Sequence, residues 1–133
     1  MSTMAEARRR QDAKGAFNAA TDDRSTHQLL GIIAGEGSSM IMLELEKGTR
    51  GQADLGRALP GVSAETLVQT LRSLERDGFV ARSAVPSVPE QDEYTLTVLG
   101  ERLIPLLDSV RHWAQRNMGE VRAARAHHDA VEG

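Results

Sequence analysis

No cysteine occurs among the 133 residues, so disulfides, thiolate metal sites, cysteine nucleophiles and thiol redox sensing are excluded by composition. Aromatic side chains make up 3% of the chain, too few to build a stacking platform for single-stranded nucleic acid. No run approaches the roughly 20 apolar residues of a membrane span, and no N-terminal stretch has the apolar core of a signal peptide. Positive charge is not in excess either. The formal net charge of -3 argues against an indiscriminate polyanion binder, while a local basic surface still fits within an acidic total. What is present, 40% hydrophobic and 26% charged residues, suits one globular domain with a single core. The composition points to a soluble cytoplasmic protein with no membrane partner and no cofactor.

The run Val62 to Phe79, VSAETLVQTLRSLERDGF, holds every position needed to start, fill and stop a helix. Ser63 is a good N-cap, its hydroxyl able to accept from an otherwise orphan backbone N–H, and Val62 can staple onto Leu67. Leu67, Leu71 and Leu74 give one apolar stripe. Gly78 supplies the left-handed residue that ends the helix, and Phe79 can fold back on Leu74. The opposite face carries Glu65, Gln69, Arg72 and Arg76, long polar side chains that nothing else in the pattern covers. Function is sought on that face.

The rest of the chain frames this helix. Arg8, Arg9 and Arg10 with Lys14 read either as a solvated helix or as an arm that touches phosphate or the minor groove; Asp12, Asp22 and Asp23 weaken the second reading. Ser25 with Gln28 forms a capping box, and Leu29, Leu30, Ile32 and Ile33 are expected inward as a first core helix. The run Gly35 to Ser39 lacks the Gly-Lys-Ser/Thr ending of a phosphate loop and reads as a turn. Ser39 then caps a short helix, Met40 to Lys47, with Met40, Ile41, Leu43 and Leu45 as core, and Gly48 ends it. Thr49 with Gln52 repeats the capping-box spacing before a helix carrying Leu55, Ala58 and Leu59, which LPG stops. Two helices so closely joined are the sequence form of a helix-turn-helix.

Beyond Gly78, the β-prone FVARSAV, the turn PSVPEQD and the β-prone EYTLT, with Tyr94 and Leu96 on one side, predict a hairpin with a long tip. Thr97 caps a last helix in which Leu99, Leu103, Leu106, Val110 and Trp113 alternate spacings of four and three, the pattern of a dimer seam. Ile104 and Leu107 widen the seam, so the helix is expected to pack on its own domain and on a second copy together. Pro105 is expected to kink it or mark a local break. After Arg116 the pattern fades into a polar tail, where His127, His128 and Asp129 are adjacent and share no helix face for a metal. The fold expected is mainly α (α+β), a winged helix-turn-helix with a long C-terminal dimerisation helix. Its parts are 1–24, a basic arm or helix; 25–97, the winged helix-turn-helix domain; and 98–133, the dimerisation helix and polar tail.

The stretches LGRALPGVSAETLVQTLRSLERDGFV and VPEQDEYTLTVLG resemble the HxlR-type winged-helix transcriptional regulators, a likeness extending from about Gln28 to Trp113. The resemblance implies small dimeric bacterial proteins, paired through the last helix and the N-terminal segment, that bind palindromic or repeated DNA. Some members sense electrophiles or oxidants through an N-terminal cysteine, which this chain does not have. It also departs from the family pattern in charge. Glu36 to Ser39 stand where the family commonly has Gly-Gly-Lys-Trp, Glu65 where a basic residue is usual, and Thr70 and Gln91 where arginines are usual. Glu90, Asp92 and Glu93 around Gln91 make an acidic wing tip that would repel phosphate.

These features point to a homodimeric, sequence-specific transcriptional regulator of double-stranded DNA, with helix 64–77 in the major groove and the 79–97 wing beside it. Gln69 is placed to read adenine, Glu65 to accept from a cytosine amino group, and Val68 to meet a thymine methyl. Ser63 with the helix N-terminus, Arg72 and Arg82 would contact phosphates, Arg57 and Arg76 adding positive charge. Each has a plainer rival: Val68 as core edge, Arg72 and Arg76 as partners of Glu75 and Asp77. The alternative function, motivated by the missing cations, is a winged-helix module that has exchanged DNA for a protein or small ligand. A small-molecule effector of unknown identity, between the dimer helix and the core, suits either. An enzyme is not indicated, since no nucleophile-elbow, metal-ligand or phosphate-loop spacing is present.

Overall fold

Residues 3–10, 24–88 and 91–133 are described by the structure, a computed structural model. In chain order the elements are α1 (3–10), α2 (Ser25–Ala34), α3 (Ser38–Leu45), β1 (Arg50–Gly51), α4 (Gln52–Ala58), α5 (Ala64–Arg76), β2 (Val80–Ser83), β3 (Glu93–Leu96) and α6 (Val98–Glu132). The chain divides into two compact units, Met1–Ala34 and Gly35–Gly133. Asp12, Lys14, Asp22, Asp23 and Glu90, all invoked above, lie outside the described residues.

In the first unit, α1 carries Arg8, Arg9 and Arg10, all exposed. No residue of α2 is buried, and Leu30 is 56% exposed. The expected first core helix is therefore not a core element. A short amphipathic helix buries its stripe only where a second layer covers it.

The second unit holds the core. Helix α3 starts behind Gly37, whose φ of 79° is left-handed. Its buried residues are Ser38, Ile41, Met42 and Leu45, whereas Met40 is exposed. Leu55 of α4, Leu67, Leu71 and Leu74 of α5, Val80, Tyr94, and Leu103, Ile104 and Leu107 of α6 complete the core.

The hairpin forms as expected, with Arg82 opposite Tyr94 and Val80 opposite Leu96, but the sheet has a third strand, in the order β1-β3-β2. Arg50 pairs with Tyr94 and Gly51 with Glu93, and the Gln52 N–H donates to the Asp92 carbonyl at 3.0 Å. Arg50 and Gly51, between the two residues of the expected Thr49–Gln52 capping box, are thus drawn into a strand, and α4 starts at Gln52 after an extended Gly51 with no side-chain cap. The pairing partner is some forty positions away in the chain, and its backbone groups replace the cap.

Helix α6 runs unbroken through Pro105 and on to Glu132, so the expected break is not found, and the polar stretch after Arg116 is exposed helix. Proline removes one backbone donor, and the remaining ladder holds; beyond Arg116 the chain is rich in Ala, Arg and Glu, which favour helix without a core. The start of α6 is locked to the end of α5. The Gly78 and Phe79 N–H groups close α5 by donating to Glu75 and Leu74 carbonyls at 3.0 and 2.9 Å, a Schellman ending with Gly78 at φ 84°. The Thr97 hydroxyl donates to the Gly78 carbonyl at 2.5 Å and accepts from Gly100 N–H at 3.1 Å, and Thr97 N–H donates to Phe79 carbonyl at 3.0 Å.

Candidate nucleic-acid interface

Helices α4 and α5 meet through Leu59 to Ser63. Leu59 and Val62 are buried, and Val62 N–H donates to the Leu59 carbonyl at 3.0 Å, so the turn is pinned from inside. Ser63 caps α5 as the sequence predicts, accepting from Thr66 N–H at 3.1 Å. With Leu67, Leu71 and Leu74 inward, Glu65, Gln69, Arg72 and Arg76 are all exposed on the outer side, and Val68 is half-buried beside them. Thr70 faces the other way. Its hydroxyl donates to the Glu36 carbonyl at 2.9 Å and ties α5 to the turn before α3.

The cations proposed for phosphate differ in their freedom. Arg72 and Arg76 have no ion-pair partner among the described residues, so the rival pairing with Glu75 and Asp77 is not formed. Arg57 is bound to Asp54 one helical turn away. Arg82 is held at the wing's base, 3.1 Å from Asp92 and 3.3 Å from Glu75. The hydrogen bond with Asp92, then the charge of Glu75, raise its already high basicity. Glu75 is thereby drawn off the outer face of α5.

Of the acids expected at the wing tip, Glu93 is exposed and Asp92 is not. Asp92 is 4% exposed, and its carboxylate accepts from Val85 N–H at 2.8 Å and from Arg82 at 3.1 Å. It closes the long hairpin tip from within and presents no charge to a phosphate. The signal was legible in principle, since strand alternation puts residues 92, 94 and 96 on one side. The Val85 N–H, then Arg82, hold the Asp92 carboxyl below its ordinary 3.8, outweighing the opposing effect of burial. A lowered native value means the stabilisation is complete above about pH 3.8 and is lost as the pH falls through the native value. Asp92→Asn should therefore lower the melting temperature at pH 7 and flatten the acid limb below pH 4 (roughly). Identical acid melting curves for the variant and the parent would remove this latch. Tyr94 next to it is buried, which raises its phenol's pKa.

The seam residues separate into two groups. Leu103 is 8% exposed and belongs to the chain's own core with Ile104 and Leu107. Leu99, Leu106, Val110 and Trp113 face outward, Leu106 at 43% and Trp113 at 58% exposure. At about 100° per residue the outward stripe lies roughly a quarter-turn from the core stripe. Among the described residues no group of three metal-ligating side chains is brought together, and no helix is long and apolar enough to cross a membrane.

A helix-turn-helix with a three-stranded wing and an uncovered polar face on its second helix defines the class of DNA-binding transcriptional regulators. Residues 32–122 match the HxlR-like helix-turn-helix family, and the chain belongs to it. YtfH of Escherichia coli (strain K12), named as an HTH-type transcriptional regulator and itself uncharacterized, is 42% identical over 86 residues, 65% of this chain and 68% of its own. The structure of ytfH from Salmonella typhimurium, described as a transcriptional regulator, superposes with a TM-score of 0.66 at 35% identity, covering 76% of this chain and 90% of that one. The redox regulator HypR in its reduced form gives a TM-score of 0.66 at 26% identity over 74% of this chain and 98% of its own. This protein is accordingly a DNA-binding transcriptional regulator.

Proposed function

We propose that the protein acts in the cytoplasm as a homodimer that sets the α5 helices of its two copies into successive major grooves. The observation that carries this reading is the presence of two uncovered surfaces on one compact unit, the polar outer face of α5 and the apolar outward stripe of α6. In this reading Glu65, Val68 and Gln69 meet base edges, while Ser63, the α5 N-terminus, Arg72 and Arg76 meet phosphates. Arg57 supplements them where it exchanges Asp54 for the backbone. Arg82 serves by holding the wing, since reaching a phosphate would cost it both carboxylates. A half-site spacing of about 34–36 Å follows from one helical turn of DNA.

The test is binding to DNA from the protein's own and neighbouring promoters across a salt series, with random DNA as the competitor. Saturable, selective binding with a modest salt slope is expected, because few free cations face the backbone. Equal failure on all DNA at low salt would sink the reading and favour the alternative of a winged helix turned to another partner. Glu65→Lys is expected to strengthen non-specific binding, to steepen the log–log salt slope by about 0.9 per added phosphate contact, and to alter base selectivity. Unchanged affinity, slope and selectivity would take α5 out of the interface.

A further inference from the structure

We propose that Arg82 is a positioning residue for the DNA contact, holding Glu75 so that Arg72 stays free to meet phosphate. The inference deepens the proposed function, and its consequence for binding rests on the placing of Arg72 at the DNA backbone there.

Glu75 has one cation at helical spacing on its own helix. Of the residues three and four positions away, Leu71, Gly78 and Phe79 carry no charge, and only Arg72 does. Arg72 in turn has Val68, Gln69, Glu75 and Arg76 at those spacings, so Glu75 is the only acid among them. Both side chains lie toward the wing: burial is the main cause of the raised Tyr94 pKa, but the charges of Arg82, Asp92, Glu75 and Arg72 all act on that phenol. The Arg72–Glu75 pair is nevertheless not formed. Glu75 lies 3.3 Å from Arg82 Nε instead.

Arg82 holds Glu75 because the wing presents its guanidinium already oriented. The buried Asp92 carboxylate accepts from Val85 N–H at 2.8 Å and pairs with Arg82 Nη1 at 3.1 Å, which leaves Nε to Glu75. A pair one turn apart on an exposed helix is weak, and weaker with the cation on the N-terminal side, whereas a guanidinium fixed in advance loses little side-chain freedom on gaining a second carboxylate. Without Arg82 the weak pair has no competitor. Glu75 would then turn to Arg72, neutralise it, and set a carboxylate beside the phosphates.

The test is binding to a duplex of the protein's own promoter across a salt series. Arg72→Gln should make the log–log salt slope shallower by about 0.9 per copy bound. Arg82→Gln should also make it shallower, by up to about 0.9 per copy, and lower affinity by up to about fivefold, although Arg82 touches no phosphate. Adding Glu75→Gln to Arg82→Gln should restore slope and affinity, and should gain more there than in the parent. Adding Arg72→Gln to Arg82→Gln should lower the slope no further than Arg72→Gln does alone. Each Arg82→Gln protein is also made with Asp92→Asn, so that no buried carboxylate is left without its cation and the wing stays folded.

An unchanged slope in Arg82→Gln, or a loss that Glu75→Gln does not restore, would overturn the inference, the second because Arg82 would then meet phosphate itself. In the free protein, NMR should show the Arg72 Nε–H exchanging with water more slowly in Arg82→Gln, and at the parent's rate once Glu75→Gln is added. If Arg72→Gln leaves the parent's slope unchanged, the phosphate reading of Arg72 has failed. The exchange rates then decide by themselves whether Arg82 keeps Glu75 from Arg72, and a rate unaltered by Arg82→Gln would show that it does not.

Discussion

Replacing Gly100 by alanine is expected to destabilise the protein by about 2 kcal/mol, although it adds one methyl group inside a helix. The site has no room for it. A Cβ on Gly100 would lie 2.2 Å from the Phe79 carbonyl oxygen, 3.1 Å from the Phe79 carbonyl carbon and 3.2 Å from a Leu96 methyl. The Phe79 carbonyl cannot retreat freely, because it accepts from Thr97 N–H while Phe79 N–H closes α5 on Leu74. Overpacking a pinned contact costs about 1–3 kcal/mol, occasionally more, and the helix propensity gained on going from glycine to alanine returns at most about 1 kcal/mol. Gly119→Ala is the control. Nothing lies within 4 Å of a Cβ there, so propensity acts alone and a gain of up to about 1 kcal/mol is expected. Denaturant midpoints for the two variants should move in opposite directions. A shift of the same sign in both would mean that the junction of α5, the wing and α6 yields easily, and that the position of α5 relative to α6 is not fixed by it.

Leu106→Glu is expected to convert a dimer into a folded monomer and to reduce operator affinity by a factor on the order of 10² or more, the bivalent advantage being lost. Leu106 is outside the chain's own core, so a charge there leaves the fold intact. In a two-fold dimer the same substitution appears twice, each carboxylate facing an apolar surface without a counter-charge. Leu103→Glu makes the contrast. At 8% exposure it would bury its charge inside the monomer and should unfold the protein. Light scattering distinguishes the outcomes, and an unchanged dimer for Leu106→Glu would place the interface on another surface. Trp113→Ala on the same stripe should weaken association while leaving the far-ultraviolet circular dichroism unaltered.

The two experiments probe different layers of one device. The α5–α6 junction sets the angle between the outer face of α5 and the outward stripe of α6 within one chain. In the proposed dimer the stripe would set the distance between two such faces. A regulator that spans two half-sites needs both, and no thiol is available in this chain to adjust either. HypR is named as a redox regulator with reduced and oxidised forms. Whatever signal acts here must act through non-covalent contacts or through chemistry other than that of cysteine.

How far the site was legible follows the sequence distance of each contact. The start of α5 at Ser63, its stop at Gly78 and Phe79, its outer face Glu65, Gln69, Arg72 and Arg76, the hairpin and the Thr97 cap of α6 were all determined by the sequence itself. The hairpin pairs two strands that follow one another in the chain; each of the others rests on hydrogen bonds or side-chain periodicity within a few residues, where the local chain supplies both partners. The tertiary structure alone decided the rest. It drew Arg50 and Gly51, inside the expected Thr49–Gln52 cap, into β1, whose partner strand is far away in the chain. It drew Asp92 inward onto Val85 and Arg82, and Glu75 toward Arg82, so that the charge visible in the sequence is not the charge presented on the surface. It divided one apolar pattern on α6 into Leu103, Ile104 and Leu107 for the core and Leu99, Leu106, Val110 and Trp113 for the outside. Periodicity marks which residues share a helix face, but the direction that face points is fixed only by the elements packed against it.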